Sequence, residues 1–211
     1  MTKDKKIIGI IIILIVVFIA IFAINLNKTN EGTVEQPNNQ IESPTQKNLT
    51  EEELTNMVNN KFNEEKDNYS FVETSSDVLI NNENWFTLRI SMYESENSGE
   101  ANYIFYNIDK AKGQLVNLSD LFKDKEYKSA ISQEIKNQMQ QKMKENSNLS
   151  YWIAQEGTDS IGFTSITDNQ DFYISENGNI VVVFNKYEVA PGYMGVQEFE
   201  ISKELYKDYL K

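Results

Sequence analysis

The chain of 211 residues contains no cysteine and no histidine, and Arg89 is its single arginine. Without thiols there are no disulfides, no thiolate nucleophile and no cysteine-ligated metal, and a lipid-modified cysteine at a signal-peptide junction is excluded as well. Without imidazole the Ser-His-Asp triad, the His-ligated zinc and the ordinary neutral-pH base all fall away. No serine stands three residues before a lysine, so the Ser-x-x-Lys arrangement is missing too. The expectation is a protein that is not an enzyme and carries no cofactor. Positive charge is also scarce: Lys and Arg total 20 against 32 Asp and Glu, for a formal net charge of −12. Residues 1–26 carry +2, which leaves −14 on the remainder. Such a surface repels nucleic acid and attracts a basic partner.

Long apolar runs are confined to one place. Ile7 to Ile24 is apolar throughout except for Gly9, and at about 1.5 Å per residue it spans roughly 27 Å, close to a bilayer's hydrocarbon thickness. Residues 7–26 therefore predict a transmembrane anchor. Lys3, Lys5 and Lys6 precede it and the chain beyond turns acidic, so the positive-inside rule places residues 1–6 in the cytoplasm and the C-terminal domain outside. The competing reading, a cleaved signal peptide, meets a run longer than a usual h-region and a poor cleavage site at Ala20-Ile21-Phe22-Ala23. Residues 27–48 are polar, hold two of the three prolines and bury too little to fold, so they read as a flexible linker. Residues 49–211 remain as one folded extracytoplasmic domain.

Its pattern is α-βββ-α-βββ-α, an α+β fold with a largely antiparallel sheet and packed helices. Thr50 and Glu53 have capping-box spacing, with Leu49 and Leu54 placed as a hydrophobic staple. Leu54, Met57, Val58 and Phe62 form one apolar face of a helix ending near Lys66. Strands are expected at Phe71–Ile80, Trp85–Tyr93 and Tyr103–Ile108, followed by a short Gln114-Leu115-Val116, with Asn81–Asn84 closing a hairpin. Ser119 is placed to cap a turn through Leu121 and Phe122. Tyr127, Ile131, Ile135, Met139 and Met143 then make the stripe of a helix of about twenty residues that packs into the core. Phe172–Ile174 and Ile180–Phe184 flank an Asn177-Gly178 hairpin, and the second run, apolar on both faces, predicts a central strand. Alternation from Val196 to Ile201 predicts the last strand, and Ser202 opens a terminal helix. Asp168 and Asp171 sit at a spacing common in turns and are expected to be solvated.

Several stretches resemble one bacterial family. Leu118–Phe122, Phe172–Ile174 with Gly178–Phe184, and Tyr187-Glu188-Val189-Ala190-Pro191-Gly192 with Gly195, Glu198, Phe199 and Ile201 are similar to the C-terminal extracytoplasmic domain of RsiV-type anti-sigma factors. That module of unknown function also accompanies certain peptidoglycan deacetylases. The similarity covers about residues 50–202 and is most specific over 172–201. Its best-understood member is a membrane-anchored receptor whose outer part binds lysozyme, so the resemblance implies binding rather than catalysis. Family members often carry a Gly-Gly-Ala-His stretch where this chain has Ser98-Gly99-Glu100-Ala101-Asn102, without the histidine. The six residues before the apolar run are too few to wrap a sigma factor, so the sigma-binding segment is expected to be missing.

Together these readings describe a single-pass membrane protein whose outer domain binds lysozyme or another cationic cell-wall-directed protein. The alternative is a non-catalytic accessory domain that binds peptidoglycan or a membrane partner. The candidate binding loop is Tyr187, Glu188, Pro191, Gly192 and Tyr193, with two tyrosines and one carboxylate suited to a basic partner. The same residues support an architectural reading, in which Pro191, Gly192 and Gly195 shape a crossover between two strands and Tyr187 enters the core.

Overall fold

The computed structural model describes residues 49–95, 101–154 and 161–211. The expected stub 1–6, anchor 7–26 and linker 27–48 lie outside the described residues, as does most of the Ser98–Asn102 stretch. Among the described residues no helix is long and apolar enough to cross a membrane.

Helix α1 (Glu51–Glu65) begins at the expected capping box: Thr50 Oγ1 accepts the Glu53 N–H at 3.2 Å and Glu53 Oε2 accepts the Thr50 N–H at 2.9 Å. Three acidic residues in its first turn oppose the helix dipole. It buries Leu54, Val58 and Phe62, each contributing about 1.5–3 kcal/mol when fully removed from water. They pack against Phe86, Leu88, Ile90 and Met92 of β2 (Trp85–Tyr93) and against Ile104, Tyr106 and Ile108 of β3 (Asn102–Asp109). Leu49 joins this cluster, as a staple should.

The first sheet is an antiparallel meander of four strands in the order β1-β2-β3-β4, with β1 at Glu73–Asn81 and β4 at Gln114–Val116. The short run expected after Gly113 pairs fully with β3, one strand more than the α-βββ-α order counts. The β1–β2 hairpin closes on Asn82, whose Oδ1 accepts the Asn84 and Trp85 N–H groups at 3.0 and 2.9 Å. Strand β1 is the edge and most of it is exposed on both faces.

Helix α2 (Tyr127–Glu145) turns the predicted stripe inward, burying Tyr127, Ile131, Ile135 and Met139. It covers one face of a second antiparallel sheet, β5-β6-β7 (Phe172–Ile174, Ile180–Phe184, Gln197–Ile201). Strand β6 is central and buried at all five positions, as its apolar run requires. The elements thus form two sheets rather than one. The β5–β6 connection also differs from a two-residue Asn-Gly turn: only Gly178 has positive φ, at 76°, and Ser175 exchanges backbone bonds with Gly178 and Asn179 across five residues. Asn117, rather than Ser119, precedes the 3-10 turn Leu118–Leu121, and its N–H donates to Asp120 Oδ2 at 2.8 Å. The short α3 (Lys203–Tyr206) is capped by Ser202, and the tail returns to pair Lys211 N–H with Leu121 C=O at 3.1 Å.

The two sheets meet where β4 stops. Buried Asn107 accepts the Thr87 hydroxyl at 2.8 Å and donates its amide to Phe172 C=O at 2.7 Å. Asn185 exchanges a pair of bonds with the Tyr103 backbone, at 2.7 and 2.9 Å. The Phe105 ring stacks on Tyr173 at 5.6 Å. Replacing Asn107 by Ala leaves the Thr87 hydroxyl and the Phe172 carbonyl without their protein partner at a buried site. Urea unfolding of Asn107→Ala is therefore expected to show a loss of about 2–3 kcal/mol; a loss below about 0.5 kcal/mol, the size of a surface substitution, would mean that this residue does not join the sheets.

Candidate functional site

The loop from Asn185 to Val196 joins β6 to β7, which are adjacent and antiparallel, so it is a long hairpin connection and not a crossover. It starts with a turn in which Glu188 N–H bonds to Asn185 C=O at 3.1 Å, and Glu188 Oε2 accepts the Asn185 N–H at 3.0 Å. Tyr187 occupies the third position of that turn with φ 70°, the sole non-glycine with positive φ among the described residues. A bulky side chain in that conformation costs on the order of 1–3 kcal/mol. The tip of its ring lies close over Gly192, where a β-carbon would clash with Cζ, so any larger residue there has to displace the tyrosine. Lys186 Nζ sits 5.3 Å from the Tyr187 ring centroid.

Tyr187 is nevertheless 65% exposed, and Tyr193 is 71% exposed. Tyr187 therefore does not enter the core; Val189 and Ala190 fill that position instead. Tyr193 is held from outside, its hydroxyl donating to Asn148 C=O at 2.8 Å. Pro191 and Gly192 are half-buried, and Pro191 C=O accepts the Met194 N–H at 2.9 Å to close a 3-10 turn. The five candidate residues thus form one built loop with two tyrosines outward and Glu188 beside them.

The loop borders a feature that the sequence does not announce. Asp171 lines three clefts, of about 320, 530 and 320 Å³, that open around the sheet joint. It lies beside the Phe105 backbone on the uncovered edge of β3. Burial, and then the charge of Glu188, push its carboxyl up to about 7, against the opposing pull of the Phe105 N–H. Desolvation also pushes Glu188 up. Around them stand Glu94 and Lys186 in the largest cleft, with Lys61, Glu65, Tyr69 and Tyr106 on the α1 side. Tyr106 donates to Glu65, which also pairs with Lys61 at 2.9 Å, and burial pushes the Tyr106 hydroxyl up.

Asp168 behaves as expected, exposed and paired with Lys128 at 2.6 Å and Lys125 at 3.4 Å. Asp171, three residues on, differs: it is half-buried at the joint, lining the clefts there. Nothing in Thr167–Asp171 marks which aspartate is inward, because the choice depends on β3, more than sixty residues earlier. Among the described residues no group of three or more Asp and Glu side chains is arranged to hold a metal ion.

A carboxyl whose folded pKa lies above its unfolded value takes up a proton on folding, so its contribution favours the folded state at low pH and is lost as pH rises. For Asp171 the window runs from about pH 4 to about pH 7, and Glu188 acts in the same direction. Wild-type stability is expected to fall by about 2–4 kcal/mol across that window relative to Asp171→Asn. Denaturant unfolding at pH 5, 6, 7 and 8 checks this, and parallel curves for the two proteins would refute it.

Residues 119–204 match the family described as a protein of unknown function, DUF3298. The chain is 34% identical over 182 residues to the anti-sigma-V factor RsiV of Bacillus subtilis, covering 79% of this chain and 63% of that protein. The chain therefore spans less than two thirds of the length of this relative. Among solved structures it is similar to a DUF3298 member from Bacteroides fragilis, with 22% identity, a TM-score of 0.46 and coverage of 76% of this chain and 64% of that one. A DUF3298 protein from Pseudomonas aeruginosa aligns with 14% identity and a TM-score of 0.44, covering 65% and 61%. The segment matched by the family takes in α2, the second sheet and the Tyr187–Tyr193 loop, and over most of its length the chain is similar to an RsiV-type anti-sigma factor.

Proposed function

We propose that this domain is the extracytoplasmic regulatory part of a membrane-anchored protein, and that it binds a cationic cell-wall-directed protein, lysozyme being the first choice. The observation that carries the reading is the loop: Tyr187 and Tyr193 are both largely exposed, yet one ring is seated on Gly192 and the other hydroxyl is tied to Asn148. Aromatic side chains fixed before contact lose little conformational freedom on binding and offer large contact areas, the properties of interface anchors. The −14 charge beyond residue 26 supplies complementarity and a faster association with a basic partner. Similarity to an anti-sigma factor supports a regulatory role, and the RsiV-type resemblance supplies the lysozyme hypothesis. The anchor at 7–26 and an outward-facing C-terminal domain belong to this proposal, as does the absence of catalysis.

The other reading, a non-catalytic accessory domain on peptidoglycan or a membrane partner, draws on the same exposed tyrosines, since aromatic faces also suit sugar rings. Calorimetric titration of the full chain in detergent with lysozyme, beside a pull-down on purified cell wall, separates the two. Binding of lysozyme that weakens as salt is raised is expected. The double variant Tyr193→Ala with Glu188→Gln is expected to lose at least about tenfold in affinity, since interface aromatics commonly contribute 1–2 kcal/mol or more. Its melting temperature should stay close to wild type; absence of heat with lysozyme together with retention on cell wall would select the accessory reading.

A further inference from the structure

We propose that Trp152 and Ile161 extend the Tyr187–Tyr193 loop into one apolar ledge, and that a basic protein docks there with a cationic side chain directed into the cleft between Asp171 and Glu188. This rests on the binding reading above and enlarges its surface.

The backbone brings the ledge together. Trp152 N–H donates to Val189 C=O at 2.8 Å, which joins the segment after α2 to the loop. Phe163 N–H donates to Trp152 C=O at 2.8 Å and Ala154 N–H to Phe163 C=O at 3.1 Å, which lays the Ile161–Phe163 segment alongside. Gly162 lets them close: a β-carbon there would lie 2.8 Å from the Trp152 carbonyl and the Ala154 nitrogen. Tyr193 ties the far end of the loop to Asn148.

On these three mutually bonded segments the exposures are 38% for Trp152, 96% for Ile161, 65% for Tyr187 and 71% for Tyr193. Large apolar side chains scattered singly over a surface are ordinary, whereas a concentration of them marks an interaction site. Of the other exposed large hydrophobics among the described residues, Val78 lies on β1 and Val72 just before it, while Tyr69 lines two of the clefts around Asp171.

Charge decides the occupant. The ledge adjoins a cleft of about 320 Å³ whose lining includes Gly162, Phe163, Asp171, Glu188 and Val189. Two carboxyl groups and no basic residue are in that lining. A partner with apolar contacts flanked by Lys or Arg is complementary to both parts, while an acidic one is repelled.

Lysozyme, as a basic probe, is immobilised and the full chain is passed over it in detergent at low ionic strength. Ile161→Ser is expected to weaken binding by roughly tenfold, the ratio that corresponds to burying a branched aliphatic side chain at an interface. Its melting temperature should not move, because Ile161 is almost fully exposed. Asp171→Asn, which keeps an oxygen beside the Phe105 N–H, is expected to weaken binding and flatten its salt dependence. Val78→Ser, on edge strand β1 and outside the lining of the clefts, is expected to bind as wild type. Wild-type binding with Ile161→Ser unchanged, or an equal loss in Val78→Ser, overturns the ledge alone; no binding by wild type overturns the ledge and the lysozyme reading together.

Discussion

The uncovered half of β3 is the constraint on which the domain depends. β4 pairs only with Asn107 to Asp109, so the outward backbone groups of Tyr103 and Phe105 need partners from elsewhere. The second sheet supplies side chains there: the Asn185 amide takes both groups of Tyr103, and the Asp171 carboxyl lies beside Phe105, whose N–H favours its charged form. Asn107 completes the seam by reaching back to Phe172. A free strand edge is ordinarily a template for another chain. Here an amide and a carboxylate stand where a longer β4 would run, and parting the sheets gives up the two Asn185–Tyr103 bonds, at a net cost of about 0.5–1.5 kcal/mol each.

What was legible in the sequence was local. The Thr50–Glu53 box, the alternation of β2, the stripe of α2 and the apolar run of β6 each state their own conformation within a few residues, and the structure agrees with them closely. The division into two sheets was not legible, because periodicity tells which residues share a face and says nothing about where a sheet ends. That end is set by Gln114–Val116, a strand so short that β3 outruns it. The same limit hid Asp171: which of two aspartates in a polar turn comes to line the clefts at the joint is set by how that turn meets β3. Tyr187 failed as a core residue for a related reason, since its positive φ reverses the chain and Val189 and Ala190 take the interior position. The outward placement of Trp152 and Ile161 likewise depends on pairing with Val189 and Phe163, which no local pattern encodes.

The family match covers residues 119–204 and leaves out α1 and the whole first sheet. Asp171, Asn185 and the loop all fall inside it, while the backbone groups they meet, on Tyr103 and Phe105, fall outside. The joint is therefore a dependence of the matched segment on a neighbour beyond its bounds, which gives a physical reason for the two sheets to belong to one folding unit.

Asn185 has a double position. It is the first residue after β6, where the loop begins, and it is also the clasp on Tyr103. Mechanically this makes the loop a short lever whose fulcrum is fastened to the other sheet. Tyr187 stands two residues from that fulcrum, and β3 in turn packs against α1, so the exposed ring, the sheet edge and the first helix are linked in series.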